Sequence, residues 1–220
     1  MKIAGLVKMS TIDYPGKLSC VFFTPGCNYD CWFCQNRALL FEHPTLNLNE
    51  VSTFLRKRVG LLEGVVLSGG EPTLQEDLVD FARKIKELGY AVKIDTNGSN
   101  PDVLKQLLQQ EIIDYVAIDY KGPFERYTKI CKHTAKGIRE CIELLLNSKI
   151  MWEMRTTVIP ELSTDDLTNM VKDVPELPLY ALQRYIPVDN EKKEEIYTPS
   201  QLYEICETIR EFQPNIVVRS

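Results

Sequence analysis

No stretch of the 220 residues approaches the run of roughly 20 apolar residues that a membrane-spanning helix needs. None has the basic, apolar, small-residue order of a secretory leader either. Both absences make a cytoplasmic, reducing setting the expectation and a membrane partner an unexpected one. There is no surplus of positive charge, since 26 Lys and Arg stand against 31 Asp and Glu for a formal charge of -5. The general field that draws nucleic-acid backbones is therefore missing, and only Lys129, Lys132 and Lys136 make a local basic strip. Histidine is scarce, with His43 and His133 alone, each without a partner in view, so turn or surface roles are the default for both. No internal repeat, low-complexity tract or flexible linker divides the chain. With 44% hydrophobic content it can build one substantial core or open barrel, and it is short for two full domains, so a single domain over 1–220 is expected. The polar stretch "PVDNEKKEEIYTP" (187–199) reads as a surface loop.

What is present is an alternation. "LSCVFFT" (18–24), "GVVLSG" (64–69), "YAVKID" (90–95), "YVAIDY" (115–120), "MWEMRTTVI" (151–159) and "YALQRYI" (180–186) have strand length and β-branched or aromatic content. Helical periodicity fills 49–59, 75–88, 101–110, 134–147, 163–173 and 199–212. Asn49, Thr73, Asn100 or Pro101, and Ser163 with Asp166 stand near plausible helix starts. Near-continuous apolar strands alternating with helices predict a parallel α/β sheet with right-handed crossovers. Functional residues in such a sheet gather at the carboxyl ends of the strands.

Seven cysteines are an odd count at modest density, which in a chain without a leader argues for free or metal-bound thiols. Cys27, Cys31 and Cys34 fall within eight positions directly after the first predicted strand. A structural zinc site normally closes with four protein ligands, and the remaining thiols here are scattered singly. An iron-sulfur cube can be held by three thiolates with its fourth iron open, which means chemistry, whereas a plain electron carrier uses four cysteines. The spacing favours the open cluster and leaves zinc and unligated thiols as alternatives. Cys20, Cys131, Cys141 and Cys206 are expected to be packed thiols without chemistry.

A second constellation, "LSGGEP" (67–72), puts Gly69, Gly70, Glu71 and Pro72 after the second predicted strand. Two glycines let backbone approach a ligand and Glu71 can accept from an ammonium group, although a plain strand-to-helix turn would suffice. Taken with Cys-x3-Cys-x2-Cys and the aromatic Phe33 before the third cysteine, the chain resembles the radical S-adenosylmethionine (SAM) enzymes. The resemblance implies a partial, open six-stranded parallel β/α barrel as a single radical SAM domain. Within that superfamily "STIDYPGKLSCVFFTPGCNYDCWFCQN" (10–36) is similar to the activases of anaerobic ribonucleoside-triphosphate reductase. Asp13-Tyr14-Pro15-Gly16 before the strand and Gly26-Cys27-Asn28 entering the loop carry that similarity.

What the resemblance implies can be stated residue by residue. Cys27, Cys31 and Cys34 would hold a 4Fe-4S cluster whose open iron takes the amino and carboxylate groups of SAM. Gly69, Gly70, Glu71 and Pro72 would orient the amino group, and Phe33 and Asn36 would meet the adenine. "DTNG", with Asp95, Thr96 and Asn97, and "DYK", with Asp119 and Lys121, would contact SAM or line its site; Arg155 is a candidate for the carboxylate. The implied reaction is one-electron cleavage of SAM, with an electron from a flavodoxin- or ferredoxin-like donor. It leaves a 5′-deoxyadenosyl radical that takes hydrogen from a glycine of a partner glycyl radical enzyme. Phe124, Arg126 and Tyr127, with Arg184 and Tyr185, are the expected docking rim, against the plainer reading that the aromatics cap the barrel. Departures from the family matter too. The roughly 30 residues between the cysteine loop and Gly69 carry no cysteine-bearing insert, and the sixth strand has no histidine, which leaves "LQRY" (182–185) unassigned. A radical SAM enzyme acting on a small molecule or another peptide, and a non-catalytic zinc or electron-transfer module, are the competing readings.

Overall fold

The structure, a computed structural model, describes residues 1–41, 45–187 and 197–219. His43 and most of the polar stretch 187–199 lie outside the described residues. All six apolar runs form strands, within two residues of the predicted ends, and a further strand flanks them on each side. In chain order the elements are β1 (Gly5–Ser10), β2 (Ser19–Thr24), α1 (Leu48–Arg58), β3 (Gly64–Gly69), α2 (Leu78–Glu87), β4 (Ala91–Thr96), α3 (Pro101–Gln109) and β5 (Tyr115–Asp119). There follow α4 (Tyr127–Cys131), α5 (Ile138–Leu146), β6 (Met151–Val158), α6 (Thr164–Lys172), β7 (Tyr180–Arg184), α7 (Pro199–Ile209) and β8 (Ile216–Arg219).

The sheet follows chain order from β1 to β8. β1 runs antiparallel to β2 and every later pair is parallel. This is the expected open parallel arrangement, with eight strands rather than six because short edge strands add to both sides. The parallel strands are buried along most of their length, as a sheet covered by helices requires; Val65, Val66 and Leu67 of β3 are fully buried.

Helix starts follow local hydrogen bonding. Ser163 and Asp166 form a reciprocal capping box on α6. Asn100 precedes α3, with Pro101 in its first turn. α1 is capped by Asn47, whose side chain accepts from Asn49 N–H, so the predicted start is two residues late. Thr73 falls inside a 3-10 turn, Pro72–Leu74, and α2 begins only at Leu78.

Val21, Val66 and Tyr115, from β2, β3 and β5, form with Tyr14 of the β1–β2 connection a small cluster separate from the large core under the helices. The rings of Tyr14 and Tyr115 lie 5.8 Å apart. Beside them Glu153, fully buried, accepts from Tyr115 Oη at 3.2 Å and pairs with Arg219, which reaches back from the end of β8. A buried carboxylate is tolerable only when paired and hydrogen-bonded in this way.

Candidate active site

The carboxyl ends of β2 and β3 are pressed together. Gly69 has φ +117°, and a side chain on Gly70 would place its Cβ 1.9 Å from the Gly26 carbonyl oxygen. The two glycines are thus required by the approach of one loop to the other. Gly70 N–H donates to Thr24 O at 2.9 Å and Glu71 N–H to Gly26 O at 2.8 Å. Asn36 Nδ2 donates to Gly69 O at 3.2 Å, tying the far end of the cysteine loop to the same turn.

The cysteine loop is also held from its other side. Asp30 N–H donates to Cys131 O at 2.9 Å, and Tyr29 Oη to Thr134 O at 3.3 Å. The Tyr29 ring stacks on His133 at 5.0 Å, so His133 has a packing role. Trp32 packs edge-on against Phe33 and Tyr185, each at 5.7 Å. Cys27 Sγ accepts from Tyr29 N–H at 3.4 Å and faces Asn97 Nδ2 at 3.7 Å. Burial pushes the Cys27 thiol up to about 11 and raises Cys34. The neighbouring Cys131 thiol, against burial, lowers Cys31.

Every predicted site residue except Pro72 lines one cavity of about 360 Å³ at this end of the barrel. Pro72 is buried and opens the turn that aims Glu71. Glu71 is fully buried and already accepts four hydrogen bonds. Oε1 takes Thr73 N–H (3.1 Å), Thr73 Oγ1 (2.6 Å) and Thr96 Oγ1 (2.8 Å), and Oε2 takes Asn97 N–H (2.7 Å). Burial raises its pKa and these donors oppose the rise. A carboxylate has about four lone-pair directions, two per oxygen. Oε1 is therefore crowded, and Oε2 keeps a direction open for a cation.

Across the cavity runs a ladder of charge. Lys93 Nζ pairs with Asp95 at 2.7 Å and donates to Asp13 O at 2.6 Å. Arg155 bridges Asp95 at 3.4 Å and Asp119 at 2.9 Å, and Lys121 pairs with Asp119 at 3.1 Å. Burial opposes ionisation of Asp119, but Arg155 and then Lys121 win and hold its carboxyl at about 2. Arg155 and Lys121 are stabilised as cations by the same carboxylates, against burial. Of these cations Arg155 and Lys121 line the cavity, beside Asp13, Glu71, Asp95 and Asp119, so they are the groups an anionic ligand would meet there. Lys121 Nζ also sits 6.0 Å over the Phe33 ring.

Sequence reasoning missed Asp13, Phe23, Ser68, Thr157 and Gln183, which also line the cavity. A polar residue at an inward position of an apolar strand was the available signal for Ser68, Thr157 and Gln183. The expected docking rim is corrected at Tyr127 and Tyr185. Tyr127 is fully buried, its Oη accepting from Lys121 N–H at 2.9 Å, and Tyr185 is 6% exposed beneath Trp32. Arg126 is tied to Asp166 at 2.7 Å, and Phe124 lies under the Arg139 guanidinium at 4.1 Å. Arg184 Nε donates to Tyr197 O at 3.1 Å. Cys20, Cys141 and Cys206 are packed thiols as expected, and Cys131 is buried against Cys31.

An open parallel barrel with thiols, a buried carboxylate and paired charges at the carboxyl ends of its strands has the form of an α/β-barrel enzyme built around a cofactor. The chain belongs to the radical SAM superfamily, whose family model matches residues 21–174. It is 36% identical over 234 aligned positions to a Methanocaldococcus jannaschii protein provisionally named a glycyl-radical enzyme activating enzyme, covering 99% of this chain and 95% of that one. Among solved structures, Streptococcus suis SuiB bound to S-adenosylmethionine shares the fold at TM-score 0.71 and 15% identity, over 91% of this chain and 52% of that one. A domain of a pyruvate-formate lyase-activating enzyme from Bacteroides vulgatus matches at TM-score 0.59 and 15% identity, over 72% of this chain and 99% of that one. Among the described residues no helix is long and apolar enough to cross a membrane.

Proposed function

We propose that this chain is a radical SAM activating enzyme that installs a glycyl radical on a partner enzyme, with anaerobic ribonucleoside-triphosphate reductase the partner its N-terminal motif favours. The observation that carries the reading is the convergence of three thiols, a buried carboxylate and the cations Arg155 and Lys121 in one cavity. Similarity over nearly the full length of both chains to a relative named for glycyl-radical activation adds to it.

The donor set fits the cofactors. Three thiols from one loop suit a 4Fe-4S cluster, in which each thiolate takes its own iron. Cys27, Cys31 and Cys34 would hold the cluster. For SAM, Glu71 Oε2 and the glycine turn offer acceptors for an ammonium, Arg155 and Lys121 offer cations for a carboxylate, and Phe33 and Asn36 offer a face for the adenine. When bound, the cluster and SAM supply the reductive carbon–sulfur cleavage that generates the hydrogen-abstracting radical. The protein holds both ends of a zwitterion in fixed directions and keeps water from Glu71 and Cys31, which are 0% and 5% exposed. The electron would come from a flavodoxin- or ferredoxin-like protein.

The test is anaerobic mixing of the iron-loaded protein with SAM, a low-potential reductant and the reductase, read by electron paramagnetic resonance. A glycyl doublet on the reductase is the expected result. SAM cleavage with no radical on any glycyl radical enzyme would transfer the assignment to a small-molecule substrate.

A further inference from the structure

We propose that Asn97, in the turn after β4, is a positioning residue whose side-chain amide donates to the Cys27 sulfur and thereby raises the reduction potential of the cluster. The inference rests on the proposed ligation by Cys27. Asn97 is 4% exposed, and its Nδ2 lies 3.7 Å from Cys27 Sγ and 2.9 Å from Asn28 Oδ1. The orientation of this amide is fixed from its other end. Ser99 N–H donates to Asn97 Oδ1 at 2.9 Å, a bond that only the oxygen can accept, so the nitrogen faces the sulfur. Asn28 Nδ2 donates to Ser99 Oγ at 2.9 Å and closes a ring of side chains across the two segments. The turn is held as well, with Gly98 N–H donating to Thr96 Oγ1 at 3.1 Å and Asn97 N–H to Glu71 Oε2 at 2.7 Å. One residue thus touches the buried carboxylate with its backbone and, with its side chain, a thiol 70 positions earlier in the chain.

The physical effect follows from charge. Reduction places more negative charge on the sulfurs of a cluster, so an N–H aimed at a ligating sulfur favours the reduced state. Tyr29 N–H, 3.4 Å from the same sulfur, is a donor too, but it belongs to the cysteine loop and travels with it. The Asn97 amide comes from another strand and acts only while the loop is docked. Buried as it is, it meets little competition from water, so its contribution is retained. Contact of the Asn97 side chain with SAM, the role implied by the resemblance of "DTNG", is the rival reading. Both of its N–H hydrogens are already engaged within the protein, which favours the sulfur.

The experiment loads the full chain and its Asn97→Leu and Asn97→Asp variants anaerobically with iron and sulfide, then measures iron content and midpoint potential before and after SAM is added. Full iron content is expected in all three, since the thiols and the backbone N–H of residue 97 are unchanged. Asn97→Leu, similar in volume and without a donor, should lower the potential in the absence of SAM. The reduced-to-oxidised ratio at a fixed potential should fall about three- to tenfold, where tenfold is about 59 mV for one electron. Asn97→Asp keeps the acceptor for Ser99 N–H and turns a second oxygen toward the sulfur, so with its carboxyl ionised it should lower the potential at least as far. Asn97→Ala replaces Asn97→Leu should that variant not fold. An unchanged potential in the variant without a donor overturns the proposal and leaves the cluster assignment standing. A shift that appears only with SAM bound overturns it as well and makes Asn97 a SAM contact. Iron loss matching that of Cys27→Ala would reduce the amide to a brace for the loop, against the proposal. A wild-type chain that takes up no iron would remove both this inference and the cluster reading on which it rests.

Discussion

The two ends of the barrel interior are built from the same alternate positions of the same strands and behave in opposite ways. At the foot, Tyr14 and Tyr115 pack together, and Glu153 is closed off by Tyr115 and Arg219. At the mouth, two residues further along β6, Arg155 is shared between two carboxylates, and Lys121 adds a further cation. The foot closes its polar groups off among themselves, whereas the mouth turns its charged groups and a buried carboxylate toward an open cavity. Substitution at the foot should therefore cost stability and spare chemistry, whereas substitution at the mouth should cost chemistry, with or without a loss of stability.

The largest effect is expected at the thiols. Cys27→Ala, Cys31→Ala or Cys34→Ala should abolish iron retention and SAM cleavage while the barrel stays folded. Cys206→Ala, outside the site, should keep both and lose on the order of 1 kcal/mol. Wild-type iron in any of the three site variants would break the ligand assignment.

Gly70→Ala probes the contact between the two loops. Its Cβ would meet backbone, 1.9 Å from Gly26 O, and backbone cannot swing aside. A loss of about 3 kcal/mol in thermal unfolding, or expulsion of the cysteine loop seen as lost iron, is expected.

At the foot, Glu153→Ala leaves Arg219 without its partner. Because the Arg219 side chain is 37% exposed, the loss should be about 2 kcal/mol, less than the 3–5 of a fully buried pair. SAM cleavage per folded molecule should be unchanged, and a fall in it would blur the distinction between the two ends.

Glu71→Gln should weaken SAM binding about tenfold with iron content intact, since a charge-assisted bond to an ammonium is lost. Equal affinity in calorimetry would remove Glu71 from recognition.

The smallest effect concerns acid. The carboxyl of Asp119 is held at about 2 against an ordinary 3.8, so its stabilising contribution is complete above pH 3.8 and is lost as pH falls toward 2. With its side chain 29% exposed, that contribution is discounted to roughly 1 kcal/mol. Asp119→Asn should be less stable than wild type by that amount at pH 7 and equal to it near pH 2, by chemical denaturation of the metal-free protein. A constant difference at all pH values would contradict this.

Much of the site was legible in the sequence because its signals are local. A cysteine trio in one loop and two glycines before a carboxylate declare their chemistry within a few residues. What escaped depends on distance or brevity. β8 has four residues and α4 five, too few for periodicity to speak. β1 is an edge strand with Lys8 between exposed Val7 and Met9, so its alternation is weak. Lys93 interrupts the apolar run of β4, and only the fold shows that it is 2% exposed against Asp95 and the Asp13 carbonyl. Tyr127 was placed on a docking rim by its residue type. Nothing nearby in sequence reveals that the chain folds back to put its hydroxyl on the Lys121 amide.

The anchors of the cysteine loop also imply an order of assembly. Tyr29 is fastened to Thr134, 105 residues along the chain, and Gln35 Nε2 donates to Ile186 O, 151 residues along. Contacts so remote form late, because the intervening chain must first be arranged. A nascent or partly unfolded molecule would therefore hold its three thiols as separate reactive groups until β7 is in place. Iron delivered before that point would meet an unformed loop, so cluster loading belongs after completion of the barrel and can report on it.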